Sequence, residues 1–332
     1  MAPFVSILMA VYNGATFLPT AIESVLAQQM ANLELVIGDN VSTDATAEIA
    51  QRYARHDQRV KYFRNTVHVS AVENFNLCYR RTDPSSKYTA VLASDDWWEP
   101  GLLARLVAAG ESNPTVTFIY SDMYRTEASG RVINRYSDQF AHNAPAGVHR
   151  AARELFFGNY INIMAGLINR RMREQIYPTK EFFDPELKLA PDYHLWLQLL
   201  IRGAYAYYIP EPLAYYRKHE EAMTMPTNVV PRLREEVTIF QDRLRGVCPP
   251  ELEDARRAAL LDRLTRIGFE LLRRADANEA RSALREAHAI RFGRRLDLTV
   301  ARTISALPCS TALRARLWQL ANSTSQALKE AH

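Results

Sequence analysis

Two adjacent carboxylates, Asp95 and Asp96, stand where an apolar run of the sequence ends. Residues 88–93 form a short run rich in β-forming side chains, which predicts a buried strand. Two like charges at the end of a buried strand are costly unless a cation lies beside them. Mg²⁺ and Mn²⁺ prefer carboxylate oxygen and usually keep positions for water and substrate phosphates. The pair therefore suggests a site for a divalent cation that carries a phosphate ester.

The same two residues also fit a plain structural role. A helix is predicted to begin near Pro100, and aspartate just before a helix is a common N-terminal cap. Asp96 would then cap this helix, with Trp97 and Trp98 packed beneath a surface turn. The dipeptide alone leaves both interpretations open.

Further acidic and aromatic residues follow other predicted strands. Tyr12 comes after a strand predicted at 5–10, and Asp39 and Asp44 come after a strand predicted at 33–38. Asp44 fits the N-cap of the next helix, whereas Asp39 has no such role. Its carboxylate could accept a hydrogen bond from the imide N–H of uracil or thymine. Tyr12 could stack on such a base, although loop aromatics also pack simply against their neighbours.

Asp192 stands at the start of another predicted helix. From Tyr193 onward the sequence is strongly apolar, as expected of a buried helix. The helix dipole favours a carboxylate at this end, so capping competes with catalysis as the reason for Asp192. The two roles are compatible, because a capped carboxylate is held fixed for proton abstraction. His219 follows a predicted strand and is either a surface residue or a ligand to a cation or phosphate.

Strands alternate with helices through the first part of the chain. The predicted strands are residues 5–10, 33–38, 60–64, 88–93 and 115–120, and the predicted helices are residues 17–28, 45–55, 69–79 and 101–109. This order predicts parallel strands joined by right-handed crossovers, with helices on both faces of the sheet. Ligands of such sheets bind at the carboxyl ends of the strands. Tyr12, Asp39, Asp44, Asp95 and Asp96 should therefore lie along one edge.

The second part of the chain is less regular at first and then helical. Residues 129–146 are predicted to form an irregular insertion, and residues 158–162 either line an acceptor site or simply connect two elements. Two strand pieces at 204–208 and 213–216 are separated by a proline-rich break. Amphipathic helices are predicted at 232–245, 252–274, 277–290 and 311–321. We therefore expect an α/β domain over 1–228 and a helical region over 229–332, whose faces are solvated, contact anionic lipid or bind a partner.

Composition narrows the class of protein. A net charge of +4 is too small for a nucleic-acid binder but suits anionic substrates or acidic lipid surfaces. Cys78, Cys248 and Cys309 lie far apart and form no CxxC pair, which indicates a reducing compartment. The chain shows neither a signal peptide nor an apolar run of about 18 residues. We expect a cytoplasmic protein, at most peripheral to the inner face of a membrane.

Four blocks of the sequence resemble the inverting glycosyltransferases of family 2. They are residues 3–13, 37–44, 94–96 and 191–196, and they occur in the order and spacing typical of that family. The resemblance covers roughly residues 3–220. It implies the GT-A fold, an α/β architecture in which a Rossmann-like, mixed and mainly parallel sheet is flanked by helices, here with a C-terminal α-helical extension.

The resemblance also implies roles in binding a nucleotide. Val11 and Tyr12 correspond to the loop that holds the base and ribose, and Asp39 corresponds to the carboxylate that reads the pyrimidine imide. Asp95 matches the residue that approaches the ribose. The implied donor is a UDP- or dTDP-activated sugar.

For the reaction centre, the resemblance implies a divalent cation, Mn²⁺ or Mg²⁺. Asp96 matches the residue that binds this metal on the diphosphate, and His219 matches a histidine near the metal or diphosphate. Asp192 falls where these enzymes have their general base. The implied activity is inverting transfer of a sugar to a hydroxyl of a glycan or lipid-linked acceptor, in the biosynthesis of a surface polysaccharide or related glycan.

The sequence departs from the family pattern at four places. Ser94 stands where the metal motif usually begins with an acidic residue, and Pro191 stands where glutamate is common before the base. Asn40 replaces a usual aspartate, and residues 65–69 lack a usual glycine. These departures concern the identity of the donor more than the class of reaction.

Two alternative functions stay open at this point. A nucleotidyltransferase would usually carry a Gly-rich phosphate loop near its start, and residues 11–15 contain only Gly14. A non-catalytic module that binds sugar nucleotides or glycans is the other alternative. A dinucleotide oxidoreductase is disfavoured because no G-x-G-x-x-G follows the first strand. The sequence specifies neither the sugar nor the acceptor nor the oligomeric state.

Overall fold

The computed structural model describes residues 3–140, 144–219, 228–274 and 276–289. The chain divides into two compact units, Met1–Ala222 and Met223–His332. Cys309, the helix predicted at 311–321 and the last residue of the helix predicted at 277–290 lie outside the described residues. The domain limits predicted at 228 and 229 stay a prediction.

The chain begins with the predicted alternation of strands and helices. The elements are β1 (Val5–Val11), α1 (Leu18–Leu26), β2 (Leu33–Asp39), α2 (Thr46–His56), β3 (Val60–Arg64), α3 (Ala71–Tyr79), β4 (Tyr88–Val91), β5 (Trp97–Trp98) and α4 (Leu102–Ser112). Every residue of β2 is buried, as expected of a parallel strand covered on both faces. Apolar side chains of β1 and β2 pack with α1 and α4 in one continuous core.

The elements that follow complete the same sheet. They are β6 (Val116–Glu127), β7 (Val132–Arg135), β8 (Gly147–His149), α5 (Ala152–Leu155), β9 (Gly166–Asn169), α6 (Arg170–Ile176), α7 (Pro191–Ile201) and β10 (Tyr205–Lys218). Short 3₁₀ turns lie at Ser137–Gln139 and Ile163–Ala165.

Ten strands of the described residues form one mixed sheet in the order β3-β2-β1-β4-β9-β6-β10-β5, with β7 on β6 and β8 on β10. β1 is parallel to β2 and β4, and β2 is parallel to β3. β9 is antiparallel to both β4 and β6, so β6 and its parallel neighbour β10 run in the direction of β4. The ends of β1, β2, β4 and β10 consequently share one edge of the sheet, which we call the carboxyl edge.

Two predictions in this half of the chain were wrong in part. The predicted break between two strand pieces is bridged, because β10 runs on through Pro210 and Pro212 with shifts in its pairing to β6. Irregular pairing accommodates proline, which cannot donate to the ladder. The predicted irregular insertion contains β7 and a 3₁₀ turn, because an extension of β6 supplies partners for β7. Residues 141–143 of that insertion lie outside the described residues.

The described part of the second unit contains helices at three of the four places where amphipathic helices were predicted. They are α8 (Val229–Thr238), which continues into a π-helical turn at Ile239–Arg243, then α9 (Glu253–Arg273) and α10 (Ala277–Ala289). Gly268 gives α10 a close approach to α9, since a Cβ there would lie 2.5 Å from Leu284 Cγ. Buried Arg263 pairs with Glu236 inside this unit. Within the described parts of the chain, no helix combines the length and apolarity needed to cross a membrane.

Candidate active site

The loops that follow β1 and β2 are joined to each other at the carboxyl edge. Asn13 Oδ1 accepts a hydrogen bond from the backbone N–H of Thr43 at 2.8 Å, and the Asn13 N–H donates to Ser42 Oγ at 3.0 Å. Asn13 and Val41 have positive φ angles of 49° and 63°. That conformation is costly for a β-branched residue such as Val41 and persists only where the surroundings impose it. The two loops therefore form one constrained rim.

Asp39 ends β2 at this rim and is fully buried, with 0% of its surface exposed. Its Oδ1 accepts from the backbone N–H of Ser42 at 2.9 Å, and its Oδ2 accepts from the Tyr62 hydroxyl at 2.9 Å. Arg64 lies 3.7 Å from the same Oδ2. Each carboxylate oxygen can accept a further hydrogen bond, but a base could reach Asp39 only if the covering groups moved. Recognition of the base by Asp39 stays a prediction.

Tyr12 and Val11 have different environments although they are neighbours. The Tyr12 side chain is 52% exposed, and its ring meets His68 edge-on with centroids 4.7 Å apart. Val11 is buried in the core, and its carbonyl accepts from the Asn40 N–H at 2.8 Å. Tyr12 thus has an open ring that could stack on a base, whereas the Val11 side chain is a packing residue. The nucleotide-binding roles of both residues stay predictions.

Asp44 serves the start of α2, as its capping interpretation suggested, from one position before the N-cap residue Ala45. Its Oδ1 accepts from the Thr46 N–H and its Oδ2 accepts from the Ala15 N–H, each at 3.0 Å. Burial raises the pKa of Asp44, but the hydrogen bonds from Thr46 and Ala15 outweigh burial and hold the pKa below its ordinary value. Asp44 is therefore a structural link between the two rim loops.

Asp95 and His219 face each other across the end of β10. His219 Nε2 lies 2.8 Å from Asp95 Oδ2, and the two side chains are 15% and 27% exposed. The ring of Phe17, from the start of α1, lies 5.1 Å from the His219 ring. The structure thus brings His219 to the acidic residues, which the sequence alone left open.

Asp96 points into the protein and is only 1% exposed. Its Oδ1 accepts from the backbone N–H of Arg217 at 2.8 Å, whereas its Oδ2 is buried without a hydrogen-bond partner among the described residues. Burial, and then the neighbouring charge of Asp95, raise the pKa of Asp96 well above its ordinary value. A positive charge beside this carboxylate would reverse that effect.

Arg217 lies beneath the acidic pair, and sequence reasoning did not identify it as a site residue. Its Nε donates to the carbonyl of Asp95 at 2.8 Å and its Nη1 donates to the carbonyl of Ala128 at 2.5 Å. The guanidinium is sandwiched between the rings of Phe17 and Trp97, 4.4 Å from each. The signal available in the sequence was the run of three basic residues that closes β10. Arg217 fixes the backbone that carries the carboxylates.

The side chains of Asp95, Asp96 and His219 fit a divalent cation that is bound together with a phosphate-bearing substrate. The buried, unpartnered Oδ2 of Asp96 and the partly exposed Asp95–His219 pair are suitable donors. Across the residues that the structure describes, no group of three or more His, Cys, Asp and Glu side chains is arranged to hold a metal by itself. Mg²⁺ and Mn²⁺ sites commonly use one or two carboxylates, with substrate phosphates and water completing the coordination.

The loop after β1 approaches Ser94, the residue just before the acidic pair. A Cβ added to Gly14 would lie 3.2 Å from Ser94 Oγ and 2.7 Å from Val11 Cγ2. Glycine is therefore needed for this close approach. Together with the Phe17–His219 contact, it brings the ends of β1, β4 and β10 into one cluster.

Asp192 lies in the first turn of α7, after Pro191. Its Oδ2 accepts a hydrogen bond from Asn159 Nδ2 at 3.0 Å. Helix α7 is firmly anchored, since Trp196 is fully buried and stacks on Phe118 with ring centroids 4.6 Å apart. Asp192 thus sits on a rigid element, and Asn159, which sequence analysis placed only in a possible acceptor loop, contacts it directly.

The segment 159–164 runs from the contact with Asp192 to residues on either side of the acidic pair. At its far end, Met164 Sδ accepts from the Ala93 N–H at 3.1 Å and the Met164 carbonyl accepts from Trp98 Nε1 at 2.6 Å. These five residue steps span at most about 18 Å when extended. The Cα atom of Asn159, which contacts Asp192, and the Cα atom of Met164, which contacts Ala93, are therefore at most about 18 Å apart.

A mixed, mainly parallel sheet flanked by helices, with acidic residues at its carboxyl edge, is the GT-A architecture of nucleotide-sugar-dependent transferases. Solved structures share this fold. TarS residues 1–349 of S. aureus, in complex with UDP, superposes with a TM-score of 0.65 at 15% identity and covers 98% of this chain and 92% of its own. The mannosyltransferase PcManGT of Pyrobaculum calidifontis, in complex with GDP-Man and Mn²⁺, gives 0.62 at 17% identity, covering 99% and 81%.

The sequence profile of glycosyl transferase family 2 matches residues 6–172, and the chain belongs to that family. An uncharacterized glycosyltransferase of Haemophilus influenzae is 26% identical over 65% of this chain and 66% of its own. The putative glycosyltransferase EpsH of Bacillus subtilis is 27% identical over 65% and 61%. The putative colanic acid biosynthesis glycosyl transferase WcaA of Escherichia coli is 28% identical over 60% and 67%. The chain thus matches just under two thirds of the length of the first two relatives.

Proposed function

We propose that this protein is an inverting, metal-dependent glycosyltransferase that moves a sugar from a UDP- or dTDP-activated donor to a hydroxyl acceptor. The observation that carries the proposal is the arrangement at the carboxyl edge. The acidic cluster there combines the Asp96 oxygen that is buried and unpartnered among the described residues with the Asp95–His219 pair, and the segment 159–164 runs from the Asp192 contact to Ala93. Membership of glycosyl transferase family 2 supports the class of reaction.

On the donor side, Asp96 and His219 would hold the cation, with substrate phosphates and water completing its coordination. When bound, a divalent cation supplies Lewis-acid stabilisation of the departing diphosphate. Because Asp95 is partly exposed, we propose that it faces the ribose side of the donor, with the buried Asp96 behind it. Arg217 keeps the two carboxylates in place through hydrogen bonds to the Asp95 carbonyl and the Asp96 side chain.

For the nucleotide itself, we keep the roles that the family resemblance implies. Tyr12 offers an exposed ring for stacking on the base, and its backbone continues from Val11 at the rim. Asp39 pairs with Val11 in the sheet, and its carboxylate would accept the imide N–H of a pyrimidine once the base displaces the groups that cover it.

On the acceptor side, Asp192 would take the proton of the attacking hydroxyl. Transfer with inversion is an in-line displacement at the anomeric carbon, so the acceptor oxygen must lose its proton as the bond to the diphosphate breaks. Holding both reactants in line supplies much of the remaining acceleration. A carboxylate on the first turn of the buried helix α7 has the fixed position that this role requires.

We place the reaction in the biosynthesis of a surface polysaccharide or related glycan, on a glycan or lipid-linked acceptor. The colanic acid relative in Escherichia coli supports this setting. The free thiols of Cys78 and Cys248 are compatible with a reducing cytoplasm. Peripheral contact with the inner face of the membrane would give access to a lipid-linked acceptor, and no role for nucleic acid is proposed.

A thermal-shift screen of nucleotide sugars with and without Mn²⁺ tests the proposal. One UDP- or dTDP-sugar should stabilise the protein in a metal-dependent way, by about 2.7 kcal/mol at a hundredfold excess over its Kd. Binding without hydrolysis or transfer to any acceptor would instead favour a non-catalytic module. Pyrophosphate release from a nucleoside triphosphate and a sugar phosphate would favour a nucleotidyltransferase.

A further inference from the structure

Asn159 bonds directly to the carboxylate of Asp192. Its Nδ2 donates to Asp192 Oδ2 at 3.0 Å, and its Oδ1 is buried without a hydrogen-bond partner in the described part of the chain. The backbone is also engaged, because the Asn159 carbonyl accepts from the Tyr136 hydroxyl at 3.1 Å. Asn159 is therefore held through its Nδ2 and its backbone carbonyl, whereas its Oδ1 accepts no hydrogen bond from the described residues.

The chemistry of the pair fixes which way the amide faces. An ionised carboxylate only accepts hydrogen bonds, so the NH₂ group of Asn159 must face Asp192 and its oxygen must point elsewhere. Leaving that oxygen buried and unpaired costs free energy. A side chain selected for stability alone would avoid this cost, since a small apolar residue at 159 would leave no orphaned acceptor.

The neighbourhood of Asn159 holds it in register with α7. Tyr193, next to Asp192, donates its hydroxyl to the carbonyl of Leu155 at 2.7 Å, and Tyr160 donates to the carbonyl of Ala151 at 2.8 Å. These bonds flank Asn159 on both sides of the chain. The backbone on each side of Asn159 is thus held in place, which suits the Asn159 side chain to orient another group.

We propose that Asn159 is a positioning residue that holds the carboxylate of Asp192 in the orientation needed to deprotonate the acceptor. This inference rests on the proposed function, in which Asp192 is the general base. The Nδ2–Oδ2 hydrogen bond occupies one oxygen and stops rotation of the carboxylate. Small misplacements of a catalytic group lower rates by about a hundredfold, so the effect should appear in kcat.

The test compares Asn159→Ala and Asn159→Asp with Asp192→Asn in the full-length protein. The assay is Mn²⁺-dependent release of the nucleoside diphosphate from the sugar donor that gives the largest thermal shift, with water or an octyl glycoside as acceptor. Asn159→Ala should lower kcat about 10- to 100-fold, leave the donor KM unchanged and leave Tm unchanged or higher. Asn159→Asp keeps the shape of the side chain but replaces the hydrogen-bond donor Nδ2 with an oxygen of a second carboxylate. It should therefore lose at least as much activity as Asn159→Ala.

A matched control is Asn169→Ala at the opposite edge of the sheet. Asn169 Oδ1 caps α6 by accepting from the Met172 N–H at 3.1 Å, so its loss should lower Tm and leave kcat unchanged. In the double variant of Asn159→Ala with Asp192→Asn, activity should be no lower than in Asp192→Asn alone, because both changes act through one group.

The outcomes separate this inference from the function beneath it. Wild-type kcat in both Asn159 variants, with Asp192→Asn inactive, would overturn the role of Asn159 and leave the proposed base standing. A further loss in the double variant would also overturn it, because Asn159 would then act independently of Asp192. Full activity in Asp192→Asn would overturn the assignment of Asp192 as the general base, and the role of Asn159 would fail with it.

Discussion

Asp95 and Asp96 are adjacent in the sequence but differ in exposure and in their partners. Asp95 is partly exposed and pairs with His219, whereas Asp96 is buried with one oxygen unpartnered among the described residues. Burial and the charge of Asp95 raise the pKa of Asp96, which means that the folded protein without a cation disfavours its charged form. A cation bound beside Asp96 would stabilise its charged form and lower its pKa again.

This environment predicts that Asp96→Asn stabilises the protein in the absence of ligand. A carboxyl whose pKa is raised on folding contributes stability below its unfolded pKa, near 3.8, and loses that contribution as pH rises through the folded pKa. Asparagine keeps the Oδ1 that accepts from Arg217 and removes the charge. At pH 7 without ligand, the free energy of unfolding of the variant should exceed that of wild type by about 1 kcal/mol, a gain typical of a stabilising substitution.

Thermal unfolding between pH 3 and pH 8 checks this prediction. The difference between Asp96→Asn and wild type should shrink as pH falls from the raised pKa of folded Asp96 to 3.8, and it should stay constant below 3.8, where Asp96 is neutral in the folded and the unfolded protein. With Mn²⁺ and the donor present, wild type should become the more stable protein. A variant less stable than wild type at pH 7 without ligand would contradict the account of this carboxylate.

At the scale of elements, strand ends and two loops hold the site. β10 brings Arg217 and His219 to the acidic pair, and the rim loops are joined through Asn13. Side chains that bridge elements thus determine the shape of the carboxyl edge. Two of these features can be tested separately.

We predict that Arg217→Lys destabilises the protein by about 2 kcal/mol, because lysine keeps the charge but lacks the planar guanidinium that reaches two carbonyls and packs between two rings. Urea unfolding measures the loss. Arg105→Lys is the matched control, since Arg105 forms an exposed pair with Glu211 and such pairs contribute little. Equal effects of the two substitutions would refute a structural role for Arg217.

Val41→Asn should raise stability by about 1 kcal/mol, because Val41 has a φ of 63°, which a β-branched residue adopts at a cost and asparagine tolerates. Val67→Asn is the control, since Val67 is 65% exposed and is not among the positive-φ residues. Chemical denaturation of both variants is the measurement. A loss of stability in Val41→Asn would show that the Val41 side chain, rather than its backbone, matters at the rim.

Much of the sheet could be predicted from sequence, whereas the bridging contacts could not. Apolar runs closed by polar residues located β1, β2, β3 and β4 to within about two residues, because burial on both faces leaves a clear pattern. β9 has four residues and no period, so nothing in the sequence marked it. Asn159 contacts a residue 33 positions away in the sequence, and Arg217 contacts one 121 positions away. No local sequence pattern encodes such contacts.

At the scale of the whole molecule, every candidate site residue lies in the unit formed by residues 1–222. The family profile also matches only within that unit. The helical unit has its own buried ion pair, Arg263 with Glu236, and its own packing around Gly268. We therefore expect stability of the helical unit and binding of the donor to respond to different substitutions.

Glu236→Ala tests this expectation. Removing one partner of a buried pair leaves Arg263 without that compensating charge and should destabilise the helical unit by about 3 kcal/mol. The Kd for the nucleotide sugar, measured by calorimetry, should stay unchanged. Glu279→Ala, which breaks an exposed pair with Arg234, is the matched control and should change neither quantity measurably. A weakened Kd in Glu236→Ala would tie the helical unit to donor binding.

The most direct test of the central claim is a paired measurement on Asp192→Asn, in which donor binding and sugar transfer are followed in one preparation. The substituted amide keeps the shape of the side chain but cannot take a proton. Mn²⁺-dependent binding of the nucleotide sugar should therefore match wild type while transfer falls at least about a hundredfold. Transfer at the wild-type rate in this variant, with binding intact, would contradict the assignment of Asp192 as the base that activates the acceptor.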